Sequence, residues 1–198
     1  MISLDIETSG LDSGRCGIWQ IGAVEVENPK NVFIEEARID NEDEISEESL
    51  QITGKTKEEI RDKNKQSQKQ LILNFIEFAK TCKEKIILGH NIGFDMSFLL
   101  NKCIRYDIID NFRKVVGYKG IDTHSIAQIK HLKEKGKFSL NENGKSDMNL
   151  TNIMKFVGLK DTRRKFEGDG RALSEGTPHN ALEDAKLTAE CYRRLMKK

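Results

Sequence analysis

Apolar and polar residues alternate at the start of the chain. Ile2, Leu4 and Ile6 share one side of an extended segment, and the polar residues between them share the other side. Two further extended runs, 18–26 and 32–39, are separated by five polar or turn-forming residues, which is typical of a hairpin. The pattern therefore predicts three strands before residue 40.

The remainder of the chain alternates between helical and extended patterns. It predicts, in order, short exposed helices over 41–70, a helix over 71–82, a strand over 86–88, a helix over 94–103, a strand over 115–121 and a helix over 125–132. The polar segment 136–148 is predicted to be a mobile loop. An apolar stripe from Leu182 to Leu195 predicts a last helix, which Asn180 is suited to cap. This order predicts an α/β sheet that is antiparallel on one side and parallel on the other.

The composition is that of an ordinary globular domain. The chain has 198 residues, 37% of them apolar, and its 33 basic and 32 acidic side chains leave a net charge of +1. A chain of this length can bury a sizeable core, so we expect residues 1–198 to form a single domain, which excludes a disordered chain or a disulfide-stapled mini-protein. A charge near zero also excludes a broad basic face, so the phosphates of any nucleic acid would have to be bound locally.

The chain carries no pattern for export or membrane insertion. No run of 18 apolar residues occurs, and the four cysteines show no C-x-x-C spacing. We therefore expect a cytoplasmic protein with reduced thiols and no membrane partner.

Asp5 and Glu7 are the first candidates for chemistry. They share one side of the first predicted strand, about 6.6 Å apart along it, just before a turn. As a bare pair they are weak evidence and favour a solvated strand face. Their spacing also suits two cations about 3.5 to 4 Å apart, and Mg²⁺ and Mn²⁺ both prefer hard oxygen ligands of this kind.

Further ligands for such cations would have to come from elsewhere in the chain. Asp95 and Asp184 each open a predicted helix after a loop, and His179 precedes Asp184 by about one helical turn. Asp95 fits a helix N-terminal charge equally well, and His179 fits an ordinary loop histidine. Asp184 is the stronger indication, because a carboxylate on an alanine-rich helical face requires something cationic opposite it.

Three segments together resemble the exonuclease motifs of the DEDD superfamily. They are Ser3-Leu4-Asp5-Ile6-Glu7-Thr8-Ser9-Gly10-Leu11, His90-Asn91-Ile92-Gly93-Phe94-Asp95 and His179-Asn180-Ala181-Leu182-Glu183-Asp184-Ala185. The pattern is similar to the histidine branch, which includes the proofreading epsilon subunit of bacterial DNA polymerase III and ribonuclease T. The sister branch would have a tyrosine at position 180, where this chain has Asn180.

The resemblance implies an RNase H-like mixed five-stranded sheet with helices on both faces. It also implies a 3′–5′ exonuclease that releases nucleoside 5′-monophosphates from single-stranded nucleic acid. By this carry-over, Asp5, Glu7, Asp95 and Asp184 bind two Mg²⁺ or Mn²⁺ ions, Asp95 holding the second ion directly or through water. His179 is the implied general base, a role that suits an imidazole near neutral pH.

Contacts with the substrate are implied for the residues that follow or surround the motifs, namely Thr8, Leu11, Asn91 and Arg171. Leu11 fits a packing role equally well. In the family a histidine commonly precedes the glycine after Ile52, whereas this chain has Thr53, so one contact near the terminal nucleotide is in doubt. A basic run, Lys160, Arg163, Arg164, Lys165 and Arg171, fits either local phosphate binding or a solvated loop.

Several alternatives stay open at this point. Single-stranded DNA is favoured over RNA, because nothing marks an RNA-trimming enzyme, and the hypothesis from a different class is a non-catalytic nucleic-acid-binding module with this fold. Because the chain ends directly after its last predicted helix, we expect a stand-alone nuclease, with a DNA polymerase as the alternative partner. The sequence leaves the oligomeric state open.

Overall fold

The central element is a five-stranded mixed sheet. A computed structural model describes residues 1–163 and 177–197 of the chain. The strands are β1 (Ile2–Thr8), β2 (Ile18–Glu25), β3 (Asn28–Glu36), β4 (Ile87–Gly89) and β5 (Gly120–Asp122). Their order is β3-β2-β1-β4-β5, with antiparallel pairing among the first three and parallel pairing of β1 with β4 and of β4 with β5. The predicted mixed sheet is confirmed.

Eight helices are described around this sheet. They are α1 (Glu47–Thr53), α2 (Lys57–Ile60), α3 (Gln68–Thr81), α4 (Ile92–Arg105), α5 (Ile109–Val115), α6 (Thr123–Lys135), α7 (Leu150–Phe156) and α8 (Ala181–Leu195). Asn180 caps α8 by accepting hydrogen bonds from two backbone N–H groups, as the sequence predicts. No helix in the described part of the chain combines the length and apolar character needed to cross a bilayer.

Both faces of β1 are covered, and the two coverings differ in chemistry. Ile2, Leu4 and Ile6 enter the main apolar core together with side chains of α3 and α4. On the opposite face the hydroxyl of Ser3 donates a hydrogen bond to the carbonyl of Ala185 in α8 at 2.7 Å. The polar face of the strand therefore lies beneath a helix, and its carboxylates are shielded from bulk water.

Two predicted strands have bounds that differ from those in the structure by several residues. The strand predicted over 115–121 is reduced to β5, because the residues up to Val115 belong to α5, which buries Phe112 completely. β3 begins at Asn28 rather than at residue 32, and it accommodates Pro29 because β3 is an edge strand with one unpaired side.

The polar segment 136–148 is tied to α6 by hydrogen bonds. The amide of Gln128 donates to the carbonyl of Ser139 at 2.8 Å and accepts from its N–H at 3.0 Å. His124 contacts the hydroxyl of Ser146 at 2.7 Å. The segment lacks apolar periodicity, which favours a mobile loop, but polar side chains of α6 contact it.

Gly22 on β2 fixes how closely α8 approaches the sheet. A Cβ atom at this position would lie 2.1 Å from the backbone nitrogen of Leu182, at the start of α8. We expect Gly22→Ala to lower the free energy of unfolding by about 1–3 kcal/mol, because backbone would have to move to make room. Gly93→Ala is the control, since a Cβ there meets no atom within 4 Å. Urea denaturation measures both variants, and a Gly22→Ala protein as stable as the parent would contradict this close packing.

Candidate active site

Three acidic side chains from two elements meet on the covered face of β1. Asp5 and Glu7 lie on the strand, and Asp184 lies in the first turn of α8. One carboxylate oxygen from each residue lies within 4.8 Å of the other two. The structure thus brings together three of the four predicted metal ligands, although 177 residues separate Glu7 from Asp184 in the sequence.

Asp95 joins the site from the first turn of α4. β1 pairs with the short strand β4 only at Ile2 and Ser3, which leaves the far half of that side of β1 without a strand neighbour. The carboxylate of Asp95 takes this place and accepts a hydrogen bond from the backbone N–H of Ile6 at 3.1 Å. The fourth predicted ligand therefore lies beside the other three, anchored to the strand that carries two of them.

His179 contacts the cluster through Asp184. Its Nδ1 atom lies 3.2 Å from Oδ2 of Asp184. The side-chain oxygen of Gln20, on β2, accepts a hydrogen bond from the first backbone N–H of α8 at 2.9 Å and so holds the helix start in place. The predicted imidazole and the predicted last carboxylate are consequently adjacent.

Arg163 brings a positive charge to the same cluster. Its Nη1 atom donates to Oδ1 of Asp184 at 3.1 Å, and its side chain is only 8% exposed. The guanidinium also forms two hydrogen bonds with Asp161, from Nε at 3.0 Å and from Nη2 at 2.9 Å. A residue from the predicted basic run is therefore buried in an ion pair rather than exposed to solvent.

The carboxylates of the site are strongly perturbed. Burial, followed by repulsion from Asp184 and Asp95, raises the pKa of Glu7 to about 8. Burial also raises the pKa of Asp95 to about 8. Burial and the surrounding carboxylates raise the pKa of Asp5 well above its ordinary value. Each raised pKa means that the ionised carboxylate is unfavourable in this site. A bound cation would stabilise the ionised form.

The donor set fits a hard divalent cation. Four carboxylates supply oxygen atoms only, three of them already close together, and no cysteine lies among them. Such oxygen-only sites suit Mg²⁺, Mn²⁺ or Ca²⁺ better than softer metals.

The raised pKa values predict how the stability of the metal-free protein depends on pH. A carboxyl group whose pKa is about 8 when folded and near 4.5 when unfolded binds its proton more tightly in the folded state. We therefore expect the free energy of unfolding in EDTA to fall by a few kcal/mol as the pH rises from 5 to 8 (about 1.4 kcal/mol for each pKa unit of one group). Urea denaturation along this pH series measures the effect, and Glu7→Gln should reduce it without abolishing it, because burial also raises the pKa values of Asp5 and Asp95. A stability that is constant or rises over this range would contradict the prediction.

A groove lies beside Glu7 at the end of β1. Its apolar wall comes from Ile6, Ile52 and Phe94, and its polar wall comes from α1 and the residues before it. Glu7 lines the groove, so an organic group bound there would lie beside the carboxylate cluster.

Thr8 and Leu11 both line this groove. The Thr8 hydroxyl donates to the carbonyl of Gly10 at 2.7 Å, which stabilises the turn after β1. Leu11 is 81% exposed, so the alternative of a packing role is wrong. Thr53, at the position where the family commonly has a histidine, also lines the groove, and its hydroxyl donates to the carbonyl of Ser49 at 3.0 Å.

Of the two remaining predicted substrate residues, only Asn91 lies in the described part of the chain, and it does not line this groove. Asn91 precedes α4 with a positive φ of 56°, and its backbone N–H donates to Asp122 at 2.9 Å. Arg171 lies outside the described residues, as do Arg164 and Lys165 of the basic run. Lys160, from the same run, is exposed.

Three residues that support the site are not indicated by the sequence pattern. Arg163 was one of several basic residues in a charged run, and nothing in its spacing marked it as the partner of Asp184. Gly22 and Gln20 lie within the extended run 18–26, whose pattern predicts a strand and indicates no role in the site. A glycine within a strand interior signals a close backbone approach, and this was the one available clue.

Comparison with known proteins identifies relatives of this chain. Over 199 residues the chain is 31% identical to a DNA polymerase III of the PolC type from Thermotoga maritima. The alignment covers 98% of this chain and 12% of that protein. The chain therefore spans only a small part of the curated relatives that it matches.

Solved nuclease structures share the fold. The zinc-bound form of an E. coli exonuclease I complex with single-stranded DNA aligns with a TM-score of 0.72 and 19% identity, over 99% of this chain and 40% of that one. Cell-death related nuclease 4 aligns with a TM-score of 0.68 and 15% identity, over 98% of this chain and 62% of that one. A family model described as an exonuclease, of the RNase T type, matches residues 2–192, and the chain therefore belongs to this exonuclease family.

Proposed function

We propose that this chain is a divalent-metal-dependent 3′–5′ exonuclease that acts on single-stranded DNA. The observation that carries the proposal is the convergence of Asp5, Glu7 and Asp184, with His179 in contact with Asp184. A hydrolase that cleaves phosphodiesters must overcome the negative charge of its substrate, and carboxylates alone would repel it. The cluster is therefore useful for catalysis only when cations are bound to it.

Asp5, Glu7 and Asp184 would hold the cations directly, and Asp95 would hold the second one directly or through water. Two ions of Mg²⁺ or Mn²⁺ would supply charge neutralisation at the phosphate and at the attacking and departing oxygens. The raised pKa values of Glu7 and Asp95 support this assignment, because they reflect a cluster that positive charge stabilises.

His179 is the proposed general base. A neutral imidazole whose Nδ1–H points to Oδ2 of Asp184, at 3.2 Å, carries its lone pair on Nε2. Nε2 would take a proton from the attacking water, whose oxygen forms the new bond to phosphorus. The bond from phosphorus to the 3′ oxygen breaks and that oxygen takes a proton from solvent water, which releases a nucleoside 5′-monophosphate and leaves a 3′-hydroxyl on the shortened strand.

The groove beside Glu7 would hold the terminal nucleoside. Phe94 and Ile52 offer apolar surface to its sugar and base, and the exposed Leu11 at the rim would contact the next base. Single-stranded DNA is the favoured substrate because one structural neighbour is a complex of exonuclease I with such a strand. A replicative polymerase is the alternative partner, because a curated relative is a polymerase of which this chain matches 12%. The match over residues 2–192 supports treating 1–198 as one exonuclease domain.

The proposal is tested with a 5′-labelled single-stranded DNA oligonucleotide in Mg²⁺ or Mn²⁺, with an RNA of the same sequence in parallel. We expect a ladder that shortens from the 3′ end, release of nucleoside 5′-monophosphates, and no reaction in EDTA. Faster cleavage of the RNA would replace DNA by RNA as the substrate. Binding without any shortening would instead identify a non-catalytic nucleic-acid-binding module.

A further inference from the structure

Arg163 is a buried cation inside a site that is expected to bind cations. Its guanidinium makes hydrogen bonds with two acidic residues, Asp161 and Asp184, and its side chain is 8% exposed. A buried guanidinium costs free energy unless its donors are satisfied, so this placement calls for a physical reason.

Asp161 and α7 orient the guanidinium through contacts that lie outside the carboxylate cluster. Both oxygens of Asp161 accept from it in a planar fork. Asp161 is itself held by the hydroxyl of Thr151 in α7, which donates to it at 2.7 Å. Nη2 also donates to Thr151 at 3.3 Å and contacts the sulfur of Met154 at 3.7 Å. α7 and Asp161 together aim the remaining nitrogen, Nη1, at Asp184.

The carboxylate of Asp184 is thereby contacted at both oxygens. Arg163 donates to Oδ1 at 3.1 Å, and His179 lies 3.2 Å from Oδ2. An oxygen of Asp184 nevertheless lies within 4.8 Å of oxygens of Asp5 and Glu7. The contact with Arg163 therefore coexists with the arrangement that a metal ion requires. A cation that competed with the metal would be expected to draw Asp184 away from the other two carboxylates.

We propose that Arg163, oriented by Asp161, is a positioning residue that holds Asp184 in its metal-binding orientation. This inference rests on the proposed function, since it concerns the same metal site. Arg163 also opposes the repulsion among Asp5, Glu7 and Asp184 through its positive charge, and so allows these carboxylates to lie close together before a cation binds.

The sign of the effect on metal affinity decides between positioning and competition. Removing the positive charge of Arg163 would remove its Coulomb repulsion of a divalent cation, and this effect alone would strengthen metal binding. Losing the orientation of Asp184 would weaken it. We expect the loss of orientation to dominate, so that Arg163→Met binds Mn²⁺ about tenfold more weakly than the parent, a change of about 1.4 kcal/mol.

The experiment is a calorimetric titration of Mn²⁺ into the chelated and re-purified protein, without nucleic acid. Arg163→Lys keeps the charge, but one ammonium group cannot reproduce the fork with Asp161 while also reaching Asp184, so we expect it to remain at least fivefold weaker than the parent. Asp161→Asn should also weaken Mn²⁺ binding. Combining it with Arg163→Met should weaken binding little further, because both changes disrupt the same Arg163–Asp161 interaction. Arg193→Met, which alters an arginine far along α8, should leave the affinity unchanged.

The double variant also guards against a failure to fold, since it leaves no unpaired charge in the place of the Arg163–Asp161 pair.

In the cleavage assay, Arg163→Met should raise the Mn²⁺ concentration for half-maximal rate about tenfold, with kcat at saturating Mn²⁺ within threefold of the parent. A merely structural role would not produce that split. Unchanged or tighter Mn²⁺ binding by Arg163→Met, or full recovery in Arg163→Lys, would overturn the proposal. A parent that binds Mn²⁺ but does not shorten DNA would overturn the exonuclease function alone.

Discussion

Asp184→Asn is expected to lower the rate of 3′-end cleavage by at least about 10³-fold, because the several kcal/mol of charge stabilisation that bound cations supply depend on this carboxylate. Asparagine keeps the shape of the side chain and one oxygen, so the helix should not be disturbed. The substitution removes the negative charge that faces Asp5 and Glu7, and with it the ionic contacts to Arg163 and His179. Both metal binding and catalysis should therefore fail together.

Two measurements separate this result from general damage to the protein. In the parent, Mn²⁺ should raise the melting temperature, because a ligand that binds only the folded state stabilises it. Asp184→Asn should lose most of this increase. Glu183→Gln is the matched control: it changes the adjacent acid on the same helix, which is 62% exposed and paired with Lys186. The control should keep both the increase and the activity, and an Asp184→Asn variant that behaves like it would remove Asp184 from the metal site.

Much of the site could be predicted from the sequence because its residues lie in elements with clear patterns. Alternation along β1 places Asp5 and Glu7 on one face, and the stripe of α8 with its Asn180 cap places Asp184 near the helix start. These are local properties, which periodicity and capping report directly. The resemblance to three ordered motifs supplied the step that periodicity cannot, namely that the elements meet.

The missed features depend on tertiary contacts. Arg163 is one of 33 basic residues, and its pairing with Asp184 follows from the position of α7, a helix that the sequence reading did not contain. The β-branched pair Val115 and Val116 favoured a strand, yet burial of Phe112 in the core made the preceding residues helical. In each case the outcome depends on packing against other elements of the fold, which the local pattern of apolar and polar residues does not report.

His179→Ala is expected to give a different result from Asp184→Asn. Loss of a general base typically lowers a rate by about 10²- to 10⁴-fold, and we expect a fall in kcat within this range. The four carboxylates proposed as metal ligands are unchanged in this variant, so Mn²⁺ affinity measured by calorimetry should stay within about threefold of the parent, a change below about 1 kcal/mol.

The comparison of kcat with metal affinity therefore identifies the role of the imidazole. His131→Ala is the control, because His131 lies on α6, where its ring contacts the carbonyl of Lys137 outside the carboxylate cluster. A His179→Ala protein with the kcat of the parent would remove His179 from the proton-transfer step. A variant that loses Mn²⁺ affinity as strongly as Asp184→Asn would instead make His179 a residue that orients Asp184, because its Nδ1 atom contacts the second oxygen of that carboxylate at 3.2 Å.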